Sequence, residues 1–123
     1  MKRTVLSALA AAAIAAAVFL VPAQAGSSMS SHRLTGETGP GFTVEVKKGG
    51  KDVKTLTHGT YTIKVEDKSN IHNFHLLGRG VNKKTGVAFK GDKTWTIKLR
   101  KGRYTYQCDV HASMGMKGHF RVT

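Results

Sequence analysis

From residue 41 onward, apolar and polar side chains alternate along the chain. Phe42, Val44 and Val46 alternate with Thr43, Glu45 and Lys47; Tyr61, Ile63 and Val65 with Thr62, Lys64 and Glu66; Trp95, Ile97 and Leu99 with Thr96, Lys98 and Arg100. Tyr104 and Tyr106 lead in the same rhythm to Cys108, and Phe120 and Val122 close the chain. Residues 72–77 and 87–90 are shorter candidates. A period of two with β-branched and aromatic residues on one side predicts half-buried strands. Lys48-Gly49-Gly50-Lys51, His58-Gly59, Gly78-Arg79-Gly80, Gly91-Asp92 and Lys101-Gly102 supply turn chemistry between them. Past the first 25 residues, no window keeps a helical period over three turns. About seven to eight short strands with regular turns predict an all-β, antiparallel sandwich in a single domain over 41–123. Residues 26–40 are rich in Ser, Gly and Thr without apolar rhythm, which predicts a loose N-terminal segment.

The first 25 residues follow a different pattern. Lys2 and Arg3 precede an Ala-rich apolar stretch over 5–21, and Ala23-Gln24-Ala25 gives a small-x-small cleavage site. This is the layout of a secretory signal peptide over 1–25, with export to the periplasm or beyond the cell. As a membrane anchor the stretch is at the lower length limit and consists mostly of Ala, which inserts weakly. No stable membrane insertion is expected after cleavage. Removal after Ala25 leaves 98 residues, enough for one small core.

The chain carries a net charge of +13, or +11 without Lys2 and Arg3. Such a surface attracts acidic partners. Nucleic acid is the usual partner of so basic a chain. Export argues against it, so no nucleic acid is expected.

An exported protein sits where thiols oxidise and cysteines usually pair. Here there is a single cysteine, Cys108. It must be buried, joined to another chain, or bound to a metal. His111 and Met116 follow it at Cys-x2-His-x4-Met spacing. A thiolate, an imidazole and a thioether on one short loop suit copper better than other common metals. Zinc would accept the thiolate and imidazoles, but methionine is a poor zinc ligand. A nucleophilic Cys108–His111 pair would leave Met116 without a role. Met114 competes with Met116 as the weak ligand, with spacing favouring Met116. One more strong donor is needed, and the segment Asn70-Ile71-His72-Asn73-Phe74-His75-Leu76-Leu77 offers two histidines. His72 shares strand parity with Phe74 and Leu76, so it should face inward; His75 should face outward.

His72-Asn73-Phe74-x-Leu76 together with Cys108-x2-His111-x4-Met116 resembles the cupredoxins, the small blue copper proteins. The loop spacing is similar to that of plastocyanins and the His-Asn-aromatic segment to that of azurins. Val110 and Ile71 stand where plastocyanins usually have proline, and neither change removes a donor. The resemblance implies a Greek-key sandwich with one copper ion held by His72, Cys108 and His111, and Met116 as weak axial ligand. It also implies that Asn73 tethers the two ligand segments by hydrogen bonds. The implied function is one-electron transfer between redox proteins and not enzymatic turnover. Those partners are expected to present acidic docking faces to a monomer. Copper storage, delivery or resistance with the same ligands is the alternative.

Overall fold

The computed structural model describes residues 12–18 and 32–123. The expected signal peptide therefore falls largely outside the described residues, as does 26–31 of the expected loose segment. Residues 12–18 are exposed and belong to no regular element. Among the described residues, no helix is long and apolar enough to cross a membrane.

Among the described residues, ten strands form two five-stranded sheets. The strands are β1 (Arg33–Thr38), β2 (Val44–Lys48), β3 (Lys51–Asp52), β4 (Thr55–Leu56), β5 (Gly59–Asp67), β6 (His75–Gly78), β7 (Val81–Lys84), β8 (Gly91–Leu99), β9 (Gly102–Gln107) and β10 (Lys117–Val122). The first sheet has the order β3-β2-β1-β5-β8, the second β4-β10-β9-β6-β7. The all-β sandwich agrees with the alternation, and the count exceeds seven to eight because of β1 and the two-residue strands β3 and β4. The sheets are mixed, not purely antiparallel. β1 runs parallel to β5 and β4 parallel to β10.

Four local expectations are corrected. Arg33–Thr38 is no loose segment but a strand in the middle of its sheet, paired to β2 on one side and β5 on the other. Its inward positions are Leu34, Gly36 and Thr38, all buried, so the apolar rhythm is hidden by a glycine and a threonine. The glycine is required, because a Cβ on Gly36 would stand 2.6 Å from Phe74 Cζ. Residues 87–90 form a turn, closed by Phe89 N–H donating to the Gly86 carbonyl, and Gly91-Asp92 starts β8 instead of turning. Phe42 lies outside β2 and is 60 % exposed.

The core between the sheets contains Leu34, Val46, Tyr61, Ile63, Val65, Phe74, Leu76, Ile97, Leu99, Tyr104, Phe120 and Val122. These are the inward positions of the alternating strands, and their burial is the main stabilising term. Tyr104 stacks on Phe120 at 5.3 Å, and its hydroxyl donates toward the Arg79 and Arg100 carbonyls while accepting from Arg100 N–H. A buried tyrosine thus fills volume without an orphaned polar atom.

Candidate metal centre

β9 delivers Cys108 to one end of the sandwich. Tyr104 and Cys108 share a face and both are fully buried. The chain then folds back through a 3-10 turn, Ala112–Met114, and returns as β10. The loop is closed at its neck, where Cys108 N–H donates to the Met116 carbonyl at 3.1 Å. Inside it, His111 N–H donates to the Cys108 carbonyl and Met116 N–H to the His111 carbonyl. Gly115 ends the turn at φ 90°, a left-handed conformation that favours glycine. The return points Met116 inward, at 2 % exposure, and leaves Met114 69 % exposed. Burial thus separates the two candidate thioethers.

His72 arrives from the loop between β5 and β6. The strand proper begins only at His75, so strand parity governs Phe74, His75 and Leu76, whereas His72 is carried inward by the loop, with Asn73 beside it buried as well. Thr85 N–H donates to the Phe74 carbonyl, so the extended path continues one step before β6. His72, Phe74 and Leu76 are fully buried, while His75 faces outward.

His72 Nδ1 lies 2.9 Å from His111 Nδ1, and Cys108 Sγ lies 3.8 Å and 3.6 Å from those two nitrogens. Three donors with these separations lie at a common distance of about 2.0 Å from the centre of their triangle, the length of a metal–imidazole bond and slightly short for a metal–sulfur bond. Among the described residues this is the group of His, Cys and carboxylate side chains able to hold a metal ion. His72 Nε2 is buried without a partner. With the ring proton on Nε2, His72 Nδ1 keeps a lone pair available beside Cys108 Sγ and His111 Nδ1. The donor set fits copper: two borderline imidazoles, one soft thiolate, and Met116 on the same loop.

Phe42 was missed as a site residue. Its ring stands edge-on over both imidazoles, 5.2 Å from His72 and 4.7 Å from His111. The signal available in the sequence was Gly39-Pro40-Gly41 just upstream, which breaks the alternation before Phe42. Gly39, at φ 70°, brings this loop against the His72 ring, where a Cβ would lie 3.2 Å from Cδ2.

A polar web joins the two ligand segments. Asn73 is buried; its Oδ1 accepts from Asp109 N–H at 2.8 Å, and its Nδ2 donates to Asp109 Oδ2 at 2.9 Å and to the Thr85 carbonyl at 3.3 Å. Thr85 Oγ1 accepts from Phe74 N–H and donates to Asp67 Oδ2. His75 Nδ1 lies 2.7 Å from Asp109 Oδ1 and Nε2 lies 2.6 Å from Asn82 Oδ1, so both ring nitrogens are engaged away from the cluster. Gln107 Nε2 also donates to Asp109. Burial pushes the Asp109 carboxyl up, but the hydrogen bonds from Gln107, His75 and Asn73 outweigh it and hold it at about 2. Asp67 shifts the other way, raised by burial against the hydrogen bonds from Ser69 N–H and Thr85. Asp109 has no signal in the local sequence, and His75, outward as its parity predicts, is bonded into this web.

No protein-family profile matches the sequence, and no curated relative does. Solved structures do match the fold. A structure of the copper protein rusticyanin superposes with a TM-score of 0.58 at 20 % identity, covering 74 % of this chain and 76 % of that one. Rusticyanin from Thiobacillus ferrooxidans gives 0.53 at 23 % over the same shares. Auracyanin from Roseiflexus castenholzii gives 0.54 at 18 %, covering 75 % of this chain and 97 % of its own. A multi-copper oxidase from Pediococcus acidilactici reaches 0.50 at 16 %, with only 25 % of its length covered. At these identities the likeness is one of fold, and the chain is a cupredoxin-fold β-sandwich whose His72, Cys108 and His111, with Met116 beside them, form a potential copper-binding site.

Proposed function

We propose that the chain is an exported, mononuclear type 1 copper protein that carries one electron at a time between redox proteins. The observation that supports this most directly is the convergence of His72 Nδ1, His111 Nδ1 and Cys108 Sγ on one point, spaced for a single ion. Bound there, copper supplies a one-electron couple that two imidazoles, a thiolate and a long methionine contact suit in both oxidation states. Cys108 would serve as the anionic ligand, His72 and His111 as the nitrogen donors, and Met116 as the weak thioether ligand. Asn73 and Asp109 fix the two segments so that the donors rearrange little when charge changes. Four donors leave no position for a substrate, and a dinuclear oxidase-type centre would need a second cysteine, so we read the protein as a carrier and not an enzyme. The signal-like layout of 1–25 supports export. The net charge supports an acidic redox partner for a monomer, and export argues against nucleic acid as that partner.

The test is a visible and electron-spin-resonance spectrum of the copper-loaded protein. An intense blue Cu(II) band that is lost in His72→Ala and kept in His75→Ala supports the reading. Loss in His75→Ala alone would show that the first ligand is wrongly assigned. A colourless protein that holds only Cu(I) would point to copper storage, delivery or resistance.

A further inference from the structure

Charge is divided unequally between the two faces of the sandwich. The strands of the first sheet contain six of the seven acidic residues: Glu37, Glu45, Asp52, Glu66, Asp67 and Asp92. Four of these hold lysines of their own side, in Lys47–Glu45 at 2.8 Å, Lys68–Glu37 at 3.0 Å, Lys64–Glu66 at 3.4 Å and Lys64–Asp92 at 3.7 Å. The five strands of the second sheet contain no Asp or Glu. The acidic residue beside them is Asp109, engaged with His75, Gln107 and Asn73.

The outward face of this second sheet is therefore an uncompensated basic wall. Arg103 on β9 stands directly opposite Arg121 on β10 in the strand register. Like charges in that position repel and destabilise the pair. They line an open cleft of about 200 Å³ with Lys54, His119 and the edge of Phe120. Lys117 continues the line toward the copper end. Among the described residues, no ion pair involves Lys54, Arg103, Lys117 or Arg121. The positive field registers on His119, which is held below its ordinary value by partial burial and by the charges of Arg103 and Lys117.

The rest of the face selects among anions. The aromatic residues of β9 and β10 pack inward, with Tyr104 and Phe120 in the core and Tyr106 against it, so none stands out to stack on bases or to sit in a lipid interface. The wall also leads to the metal. From Arg103 to Cys108 along β9 is about 17 Å, and Lys117 adjoins Met116. A partner seated here would lie along the copper edge.

We infer that the outward face of the second sheet, centred on Arg103 and Arg121, is a docking surface for an acidic protein partner. The inference locates the partner of the carrier reading and rests on that reading for the partner's redox character. The probe is a short poly-L-glutamate peptide titrated at low salt into the isotope-labelled, copper-loaded full chain, followed by amide NMR shifts. Shifts are expected at Arg103, Thr105, Lys117, His119 and Arg121. The double variant Arg103→Gln/Arg121→Gln should weaken binding roughly threefold to thirtyfold, the loss of two exposed charge contacts. Lys51→Gln/Lys98→Gln on the first sheet should change it less than about twofold. Equal losses from both double variants, or shifts centred on the first sheet, would overturn the assignment. So would tighter binding of a DNA duplex or of phosphatidylglycerol vesicles than of the peptide at this face. The absence of a blue spectrum with the shift map intact would sink the carrier reading and leave the surface. A blue spectrum without the map would do the reverse.

Discussion

Replacing Asn73 by alanine removes the link between the two segments that supply the metal donors. Three hydrogen bonds go: the 2.8 Å bond from Asp109 N–H, the 2.9 Å bond to the Asp109 carboxylate and the longer 3.3 Å bond to the Thr85 carbonyl. A neutral bond contributes about 0.5–1.5 kcal/mol and one to a charged group about 1.5–3 kcal/mol. The Asp109 carboxylate is about one-third exposed, so its contact belongs at the low end of that range. The expected loss is about 2–4 kcal/mol, which in a domain of this size lowers the thermal midpoint by roughly 10–25 °C. The assay is thermal unfolding of the metal-free protein by circular dichroism. A loss below about 0.5 kcal/mol would refute the claim that this web holds the ligand segments before metal arrives. The copper-loaded spectrum adds a second readout. A metal-free loss of the expected size with an unchanged blue band would confine Asn73 to supporting the fold.

Gly36→Ala should destabilise by about 1–3 kcal/mol in a denaturant titration, because its Cβ would lie 2.6 Å from Phe74 Cζ and Phe74 is fully buried; an unchanged midpoint would contradict the close packing. Phe42→Ala should change stability by less than about 1 kcal/mol, since the ring is mostly exposed, yet it should speed removal of copper by a chelator. Equal removal rates would end its role as a cover over the two imidazoles. The His119 titration midpoint, read by NMR, should lie below the ordinary value of 6.5 and rise in Arg103→Gln. The folded-state value is depressed, so His119's share of stability is complete above 6.5 and falls as pH drops through the folded midpoint. A midpoint unmoved by Arg103→Gln would remove the arginine as a cause.

The legible parts of the sequence are those where one local rule decides. β5 and the second half of β8 could be read because they bury alternate side chains, and β9 because Tyr104 and Tyr106 share the inward parity. Cys108, His111 and Met116 could be read because three metal-binding groups sit on one short loop. β1 could not, because Gly36 and Thr38 occupy two of its three inward positions, and its parallel partner β5 lies 29 residues away in the register. Val87 and Phe89 imitate a strand but serve a turn, with the Phe89 ring covered by Lys93 at 4.7 Å. The Asp109 web has no local signature: its contacts with Asn73 and His75 span 36 and 34 residues.

The burial of the donors bears on which copper chemistry suits them. A protein that hands its ion to another must offer its ligands for exchange, and a thiolate exchanges only where a partner can reach it. Here Cys108 and His72 are both fully buried, and Phe42 stands over the two imidazoles. His111 alone among the three is partly exposed, at the edge where the Ala112-Ser113-Met114 turn reaches solvent. Ligand exchange would require opening the web around Asn73 and Asp109, whereas an electron needs only the exposed edge of one imidazole. The donors stand at separations that suit one ion, on segments tied together by the Asn73 and Asp109 hydrogen bonds. On the proposed carrier reading, both properties suit an ion that stays in place while its charge changes.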